Sequence, residues 1–280
     1  MHIDKGKCVG CANCVPVCPM GAIHVGADGR ATVVVDECVE CFTCYRGLST
    51  EHLPGSLIRV LRRLLKLARL RFEPDPDVCP TAAITPDELR WPRTLRREFS
   101  DPLERHSSTG MGGRGTAEVK TNELTNRVGE GLAGFVVEFG RPGVGVRLHD
   151  VAVATKELAR AGVTFETENP VTYLMSDVSA GQLRPEILNE KIMSCIVEFR
   201  VELERVPDVL RVVEDVSCRV DTTVAVGVSA RCDAHGEDPL KDVLAGQGYK
   251  FHRGKVNLGL GRRSNPAAEP TATSRTGGHP

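Results

Sequence analysis

The stretch CVECFTCYRG, residues 38–47, places Cys38, Cys41 and Cys44 three residues apart and then runs on without a fourth cysteine. Upstream, Cys8, Cys11 and Cys14 have the same spacing, and there Cys18 follows, with Pro19 directly after it. The phrase CPMGAI at 18–23 has a counterpart far along the chain, CPTAAI at 79–84. The chain therefore contains an internal repeat whose second copy is split, and the fourth cysteine of that copy is Cys79. The split is wide: residues 45–78 make a spacer of 34 residues.

The first group follows the C-x2-C-x2-C-x3-C-P spacing of bacterial cubane proteins, in which three thiolates wrap one side of a cluster and the fourth points away to another. Proline then stops the turn and removes a backbone donor. On these residues, 1–85 resemble a bacterial-type ferredoxin with two [4Fe-4S] clusters. The resemblance implies crossed ligation: cluster one would take Cys8, Cys11, Cys14 and Cys79, and cluster two Cys38, Cys41, Cys44 and Cys18. The chain departs from that family in the long spacer before Cys79, where about three residues are usual. Between the two groups, AIHVGADGRATVVV (22–35) reads as a hairpin turning at Asp28 and Gly29. Structural zinc is the competing reading of paired cysteines, but four ligands per ion leave the third cysteine and the proline without a role. Eight thiolates make two four-iron cubanes the simplest cofactor, with three-iron or mixed clusters as alternatives. Such clusters transfer single electrons at potentials set by hydrogen bonds to sulfur, burial and net charge.

A length of 280 residues suggests two domains with connecting segments. The formal net charge of -1 argues against a dedicated nucleic-acid binder. The N-terminus shows no export signal, and no apolar run reaches the roughly 18 residues of a membrane span, so a cytoplasmic location is expected. In a reducing compartment the 11 cysteines should be metal ligands or buried thiols rather than disulfides.

The spacer holds GSLIRVLRRLLKLARLRF (55–72), which predicts a basic amphipathic helix with Arg59, Arg62, Arg63, Lys66 and Arg69 on one stripe. It either packs over the cluster fold or docks onto an acidic redox partner; an anionic membrane surface is the weaker alternative. Residues 86–116 read as a linker, with Trp91 packed on the ferredoxin-like part or anchoring a partner, and a flexible turn in the glycine-rich TGMGGRG (109–115).

The remainder predicts strand, helix, strand, strand, helix, strand. The strands are GFVVEFG (134–140), one held within VTFETENPVTYLMSD (163–177), KIMSCIVEFRVEL (191–203) and TTVAVGVSARC (222–232); the helices are HDVAVATKELARAG (149–162) and VPDVLRVVEDVSCRV (206–220). AEVKTNEL (117–124) is a candidate extra strand. The fold class expected is α+β: a small 2[4Fe-4S] ferredoxin domain (1–85) with a helical insertion (45–78), then a split βαβ (βαββαβ) antiparallel sheet domain (117–235). Its order is similar to that of ACT modules, on pattern alone. An extension (236–280) closes the chain, expected to be disordered from about 262. Cys195, Cys218 and Cys232 lack metal spacing and read as buried thiols, and His149 beside Asp150 reads as a helix start. No nucleophile with a base and an orienting group can be placed. The expected function is electron transfer through two [4Fe-4S] clusters to or from a partner oxidoreductase or companion subunit. A redox-linked sensor with a ligand-binding sheet domain is the alternative, and an enzyme with its own active site is the weakest reading.

Overall fold

In a computed structural model, residues 1–46, 60, 64, 67, 68, 78, 79, 81–113 and 127–251 are described. The strand expected at 117–124, the tail from 262 and nearly all of the basic stretch 55–72 lie outside the described residues. The architecture is a mixed α+β one.

The cysteine-bearing segment is built from β1 (His2–Ile3), α1 (Cys14–Val17), β2 (Ile23–Val25), β3 (Ala31–Val33), α2 (Thr43–Arg46) and β4 (Ile84–Thr85). Two antiparallel pairs close it: Ile3 faces Ile84 in β1–β4, and Ile23 faces Val33 in β2–β3. Ile3, Ile23 and Ile84 are all buried, so each pair delivers apolar side chains to one small core. The hairpin turns at Gly29, whose φ of +71° favours a residue without Cβ. Its N–H donates to Gly26 O at 3.0 Å, and Arg30 N–H donates to Asp28 Oδ1 at 3.1 Å.

The span 86–113 is packed rather than a free linker. It carries α3 (Thr94–Glu98), with Leu95 and the following Phe99 four residues apart on one helical face. Both enter the large core of the C-terminal half, and that burial ties the segment down. The glycine-rich stretch, as far as residue 113, forms a tight turn and not a hinge: His106 N–H donates to Met111 O at 2.8 Å, and Gly110 N–H donates to His106 O at 2.8 Å. Trp91 is half exposed, with the Arg184 guanidinium of the C-terminal half 6.0 Å from its ring centre.

The C-terminal half contains β5 (Leu132–Phe139), β6 (Val146–Arg147), α4 (Leu148–Arg160), β7 (Thr164–Phe165), α5 (Pro170–Tyr173), β8 (Met175–Asp177), β9 (Gln182–Leu183), β10 (Lys191–Ile192), β11 (Cys195–Glu202), α6 (Val206–Ser217), β12 (Val224–Ala230) and α7 (Leu240–Gly246). Four strands form one antiparallel sheet in the order β12-β5-β11-β7. Alternate residues Phe135, Val137 and Phe139 of β5 and Cys195, Val197, Phe199 and Val201 of β11 are buried, as the two-residue period of a strand requires. Phe135 lies opposite Phe199 with the rings stacked at 5.0 Å. Val151, Ala154 and Leu158 of α4 and Val206, Val209, Leu210, Val213 and Val216 of α6 complete this core.

Two expectations are corrected here. The stretch 163–177, expected to hold one strand, carries two short ones, β7 and β8, with a turn of helix between them: Asn169 is wholly buried, and its Oδ1 accepts from Val171 N–H at 2.8 Å. That cap, with Pro170 at the first helical position, makes the short α5 before β8 can begin. Cys195 is buried, but Cys218, the C-cap of α6, and Cys232, beyond β12, are exposed. In the extension after 235, ahead of the stretch expected to be disordered, Leu240 of α7 is in the main core and Val243, Leu244 and Tyr249 pack against it. Gly246 closes α7 with open space where a Cβ would sit. Gly246→Ala should therefore stabilise the fold by about 0.4–1 kcal/mol, read as a raised denaturation midpoint; a lowered midpoint would contradict a docked α7. His149 Nε2 lies 3.4 Å from Asp150 Oδ1 in the first turn of α4, consistent with a helix start.

Candidate metal centres

The two cysteine loops place left-handed residues at matching positions. In 8–14 the left-handed residues are Gly10 (φ +69°) and Ala12 (φ +60°); in 38–44 they are Glu40 (φ +56°) and Phe42 (φ +62°). The likeness extends past the fourth cysteines: Gly21 (φ +63°) and Ala82 (φ +51°) each stand three residues after Cys18 and Cys79. Left-handed turns cost a residue with a Cβ about 1–2 kcal/mol each, yet Ala12, Glu40, Phe42 and Ala82 adopt them. Gly10 has a second reason to be glycine, since a Cβ there would run into Gly29 O at the tip of the β2–β3 hairpin.

Hydrogen bonds to sulfur repeat in the same way. Ala22 N–H donates to Cys18 Sγ at 3.3 Å and Ala83 N–H to Cys79 Sγ at 3.1 Å, each from four residues downstream. Thr43 Oγ1 lies 3.3 Å from Cys41 Sγ, and Thr81 Oγ1 lies 3.7 Å from Cys79 Sγ. In each case the threonine is the second residue after the cysteine, although Cys41 is the middle cysteine of its loop and Cys79 the fourth of its group.

The folded chain brings the cysteines into two neighbourhoods. Cys18, Cys38, Cys41 and Cys44 line one apolar cavity, with Met1, Met20, Ile23, Val39 and Phe42 among its walls. In the other, the thiols acting on Cys14 are those of Cys11, Cys79 and Cys8, so the β1–β4 pairing carries Cys79 back to the first loop. The sites differ in exposure. Cys41 and Cys44 are buried, whereas in the first loop Cys14 is buried and Cys11 exposed. Burial pushes the Cys38 thiol up to about 11 and the Cys44 thiol up to about 12, the latter also raised by Cys41 and Cys38. Cys79 moves the other way. Burial raises it, but the hydrogen bonds from Ala83, Thr81 and Ile84 together outweigh that and hold it below the usual thiol range. Among the described residues, no three or more His, Cys, Asp or Glu are grouped to hold a single metal ion. A thiol-only donor set in an apolar cavity, with N–H groups aimed at sulfur, fits an iron–sulfur cluster.

Arginines from 93–97 frame the second loop. Glu40 is buried; Arg93 donates to its carboxylate at 2.6 and 3.1 Å, and the Met1 amino group reaches it at 2.8 Å. The guanidinium groups of Arg97 and Arg46 lie 4.4 and 5.2 Å from the Phe42 ring centre. Both also pair with buried Asp101, Arg46 Nη2 donating to Oδ2 at 2.6 Å. Arg96 is buried against the carbonyls leading to Cys38. The linker reading missed these residues. The one local clue was a helix-length RTLRRE carrying a leucine at a core position.

A family model for the 4Fe-4S binding domain (Fer4) matches residues 1–24. Residues 1–24 are an iron–sulfur segment of ferredoxin type. The match implies a [4Fe-4S] cluster and a general role in electron transfer. Searches of curated proteins and of solved structures return no match to the chain.

Proposed function

We propose that the chain carries two [4Fe-4S] clusters and passes single electrons to or from a partner oxidoreductase or companion subunit. The observation that supports this reading most is the duplicated frame: two loops with left-handed residues at matching positions, two fourth cysteines with matching N–H···S bonds, and Cys79 among the thiols of the first loop. In this reading Cys8, Cys11, Cys14 and Cys79 hold cluster one, and Cys38, Cys41, Cys44 and Cys18 hold cluster two. When bound, each supplies a one-electron couple. The chain's own part is to present thiolates, aim backbone N–H groups at sulfur and exclude water from the second site. The cysteines must lose their protons as the metal enters, and burial, which raises the Cys38 and Cys44 thiols, makes that loss costlier there.

In the same proposal, 1–85 and 117–235 are the two functional units, the second a split βαβ module similar in order to ACT domains, and the basic stretch 55–72 docks an acidic partner surface. No helix among the described residues is long and apolar enough to cross a membrane. The test is anaerobic isolation from the native cell with iron and acid-labile sulfide analysis. About eight irons per chain and a co-purifying redox protein are expected. Half that iron, or zinc, would overturn the two-cluster reading.

A further inference from the structure

We propose that Arg96 is a positioning residue for the second site, holding the backbone that leads into Cys38 and raising the reduction potential of the cluster there. The inference rests on the two-cluster reading above. Arg96 is 3% exposed, which is rare for an arginine and demands partners for every donor it buries. Its Nη1 donates to three carbonyls of one short stretch: Asp36 O at 2.7 Å, Cys38 O at 3.0 Å and Val35 O at 3.4 Å. Its Nε donates to Glu190 of the C-terminal half. One cation thus joins the loop bearing a candidate ligand to the sheet half of the protein.

The same stretch is gripped from the sheet side. Arg147 Nη2 donates to Asp36 Oδ2 at 2.5 Å, and Lys191 pairs with Glu37. Arg147 belongs to β6 and Lys191 to β10, which pair with each other at Lys191 and Arg147, so both cations come from one two-stranded edge. Met20, a wall of the second cavity, reaches the same edge: it lies where a Cβ on Gly145 would be.

The first loop lacks an equivalent buried cation among the described residues. Lys5 O, the counterpart of Val35 O, accepts from Arg30 Nη1 at 2.6 Å, but that bond is exposed. An exposed charge is screened by water and salt, whereas a buried one acts through a lower effective dielectric. Adding an electron makes a site more negative, so a buried guanidinium with its Nη1 turned to the Cys38 carbonyl favours the reduced form. Glu190, partly buried on the Nε side, and the more exposed Asp36 carboxylate, 3.6 Å from Nη2, oppose it. No bond forms or breaks in this effect: one electron arrives from an external one-electron donor, and the cation offsets its charge.

The sign of the charge supplies the test. Anaerobic redox titrations, monitored by electron paramagnetic resonance, are run on the full chain, on Arg96→Gln and on Glu190→Gln. Arg96→Gln should disfavour reduction of one cluster about tenfold, a fall of ~59 mV for a one-electron couple; Glu190→Gln should move the same cluster in the opposite direction, with the other cluster unchanged in both. Both variants loosen the strap, so a merely structural role would move the potentials the same way. A same-sign shift, equal shifts of both clusters, or no shift in either variant would overturn the proposal. If Arg96→Gln fails to fold, Glu190→Gln and the charge-preserving Arg96→Lys decide it: the first must raise one potential, and the second must keep most of the wild-type value. A wild-type chain without two reducible clusters would overturn the parent reading instead, so the two failures are distinguishable.

Discussion

Replacing Cys79 with alanine should remove roughly half of the iron and leave the cluster at Cys18, Cys38, Cys41 and Cys44 in place. The reason is spatial. Cys79 follows Cys44 in the chain, but the β1–β4 pair, with Ile3 opposite Ile84, draws it to the thiols of Cys8, Cys11 and Cys14. Its sulfur already accepts from Ala83 N–H at 3.1 Å and is held below the ordinary thiol range, so alanine removes a prepared donor from the first site only. Iron and sulfide content, with the resonance signal of the reduced protein, check the result. Cys218→Ala and Cys232→Ala, at exposed positions outside the cavity, should leave the iron content unchanged. A Cys79→Ala protein retaining all its iron, or one that has lost the second site while keeping the first, would rule out crossed ligation.

Gly140→Ala should be among the most destabilising single-methyl changes in the chain. Gly140 ends β5 at φ +80°, and a Cβ there would sit 2.5 Å from Met193 O, 3.1 Å from Gly145 C and 3.2 Å from Ser194 Cα. Every one of those neighbours is backbone, so no side chain can swing away. The left-handed cost of about 1–2 kcal/mol and the overpacking cost of about 1–3 kcal/mol add to roughly 2–5 kcal/mol, a fall of ~4–20 °C in Tm for a fold of this size. The damage should spread to the second site, because the turn from 140 to 145 meets Met20 of that cavity at Gly145. Calorimetry gives the stability, and the oxygen sensitivity of the bound iron reports the loosened packing. An unchanged Tm would mean that the turn relaxes without strain.

The β2–β3 hairpin was legible because its signals are local: a left-handed glycine after aspartate, with alternating apolar residues on both sides. So were β5 and β11, whose two-residue alternation survives in the buried rows Phe135, Val137, Phe139 and Val197, Phe199, Val201. The breaks came where one residue's partner decides its conformation. A buried Asn169 divided the stretch expected to hold one strand by capping α5, its Nδ2 donating to Ile196 O at 3.0 Å and to Glu198 at 2.7 Å. Leu95 and Phe99 made a helix of a stretch whose prolines and charges read as a linker, because a core was there to receive them. Tertiary burial outweighs intrinsic propensity in such short elements.

By itself, the order of residues determined the donor chemistry: two repeats of thiols at fixed spacing, ending in CPMGAI and CPTAAI. That information is local, since a few bonds set how far apart neighbouring cysteines can stand. Only the folded chain decided what surrounds each loop. Arg96 reaches Cys38 O across 58 residues and Glu190 across 94, and the first loop was left with its Cys11 exposed. Contacts over such separations depend on how the sheet half packs against the cysteine segment, and no spacing along the chain encodes that distance.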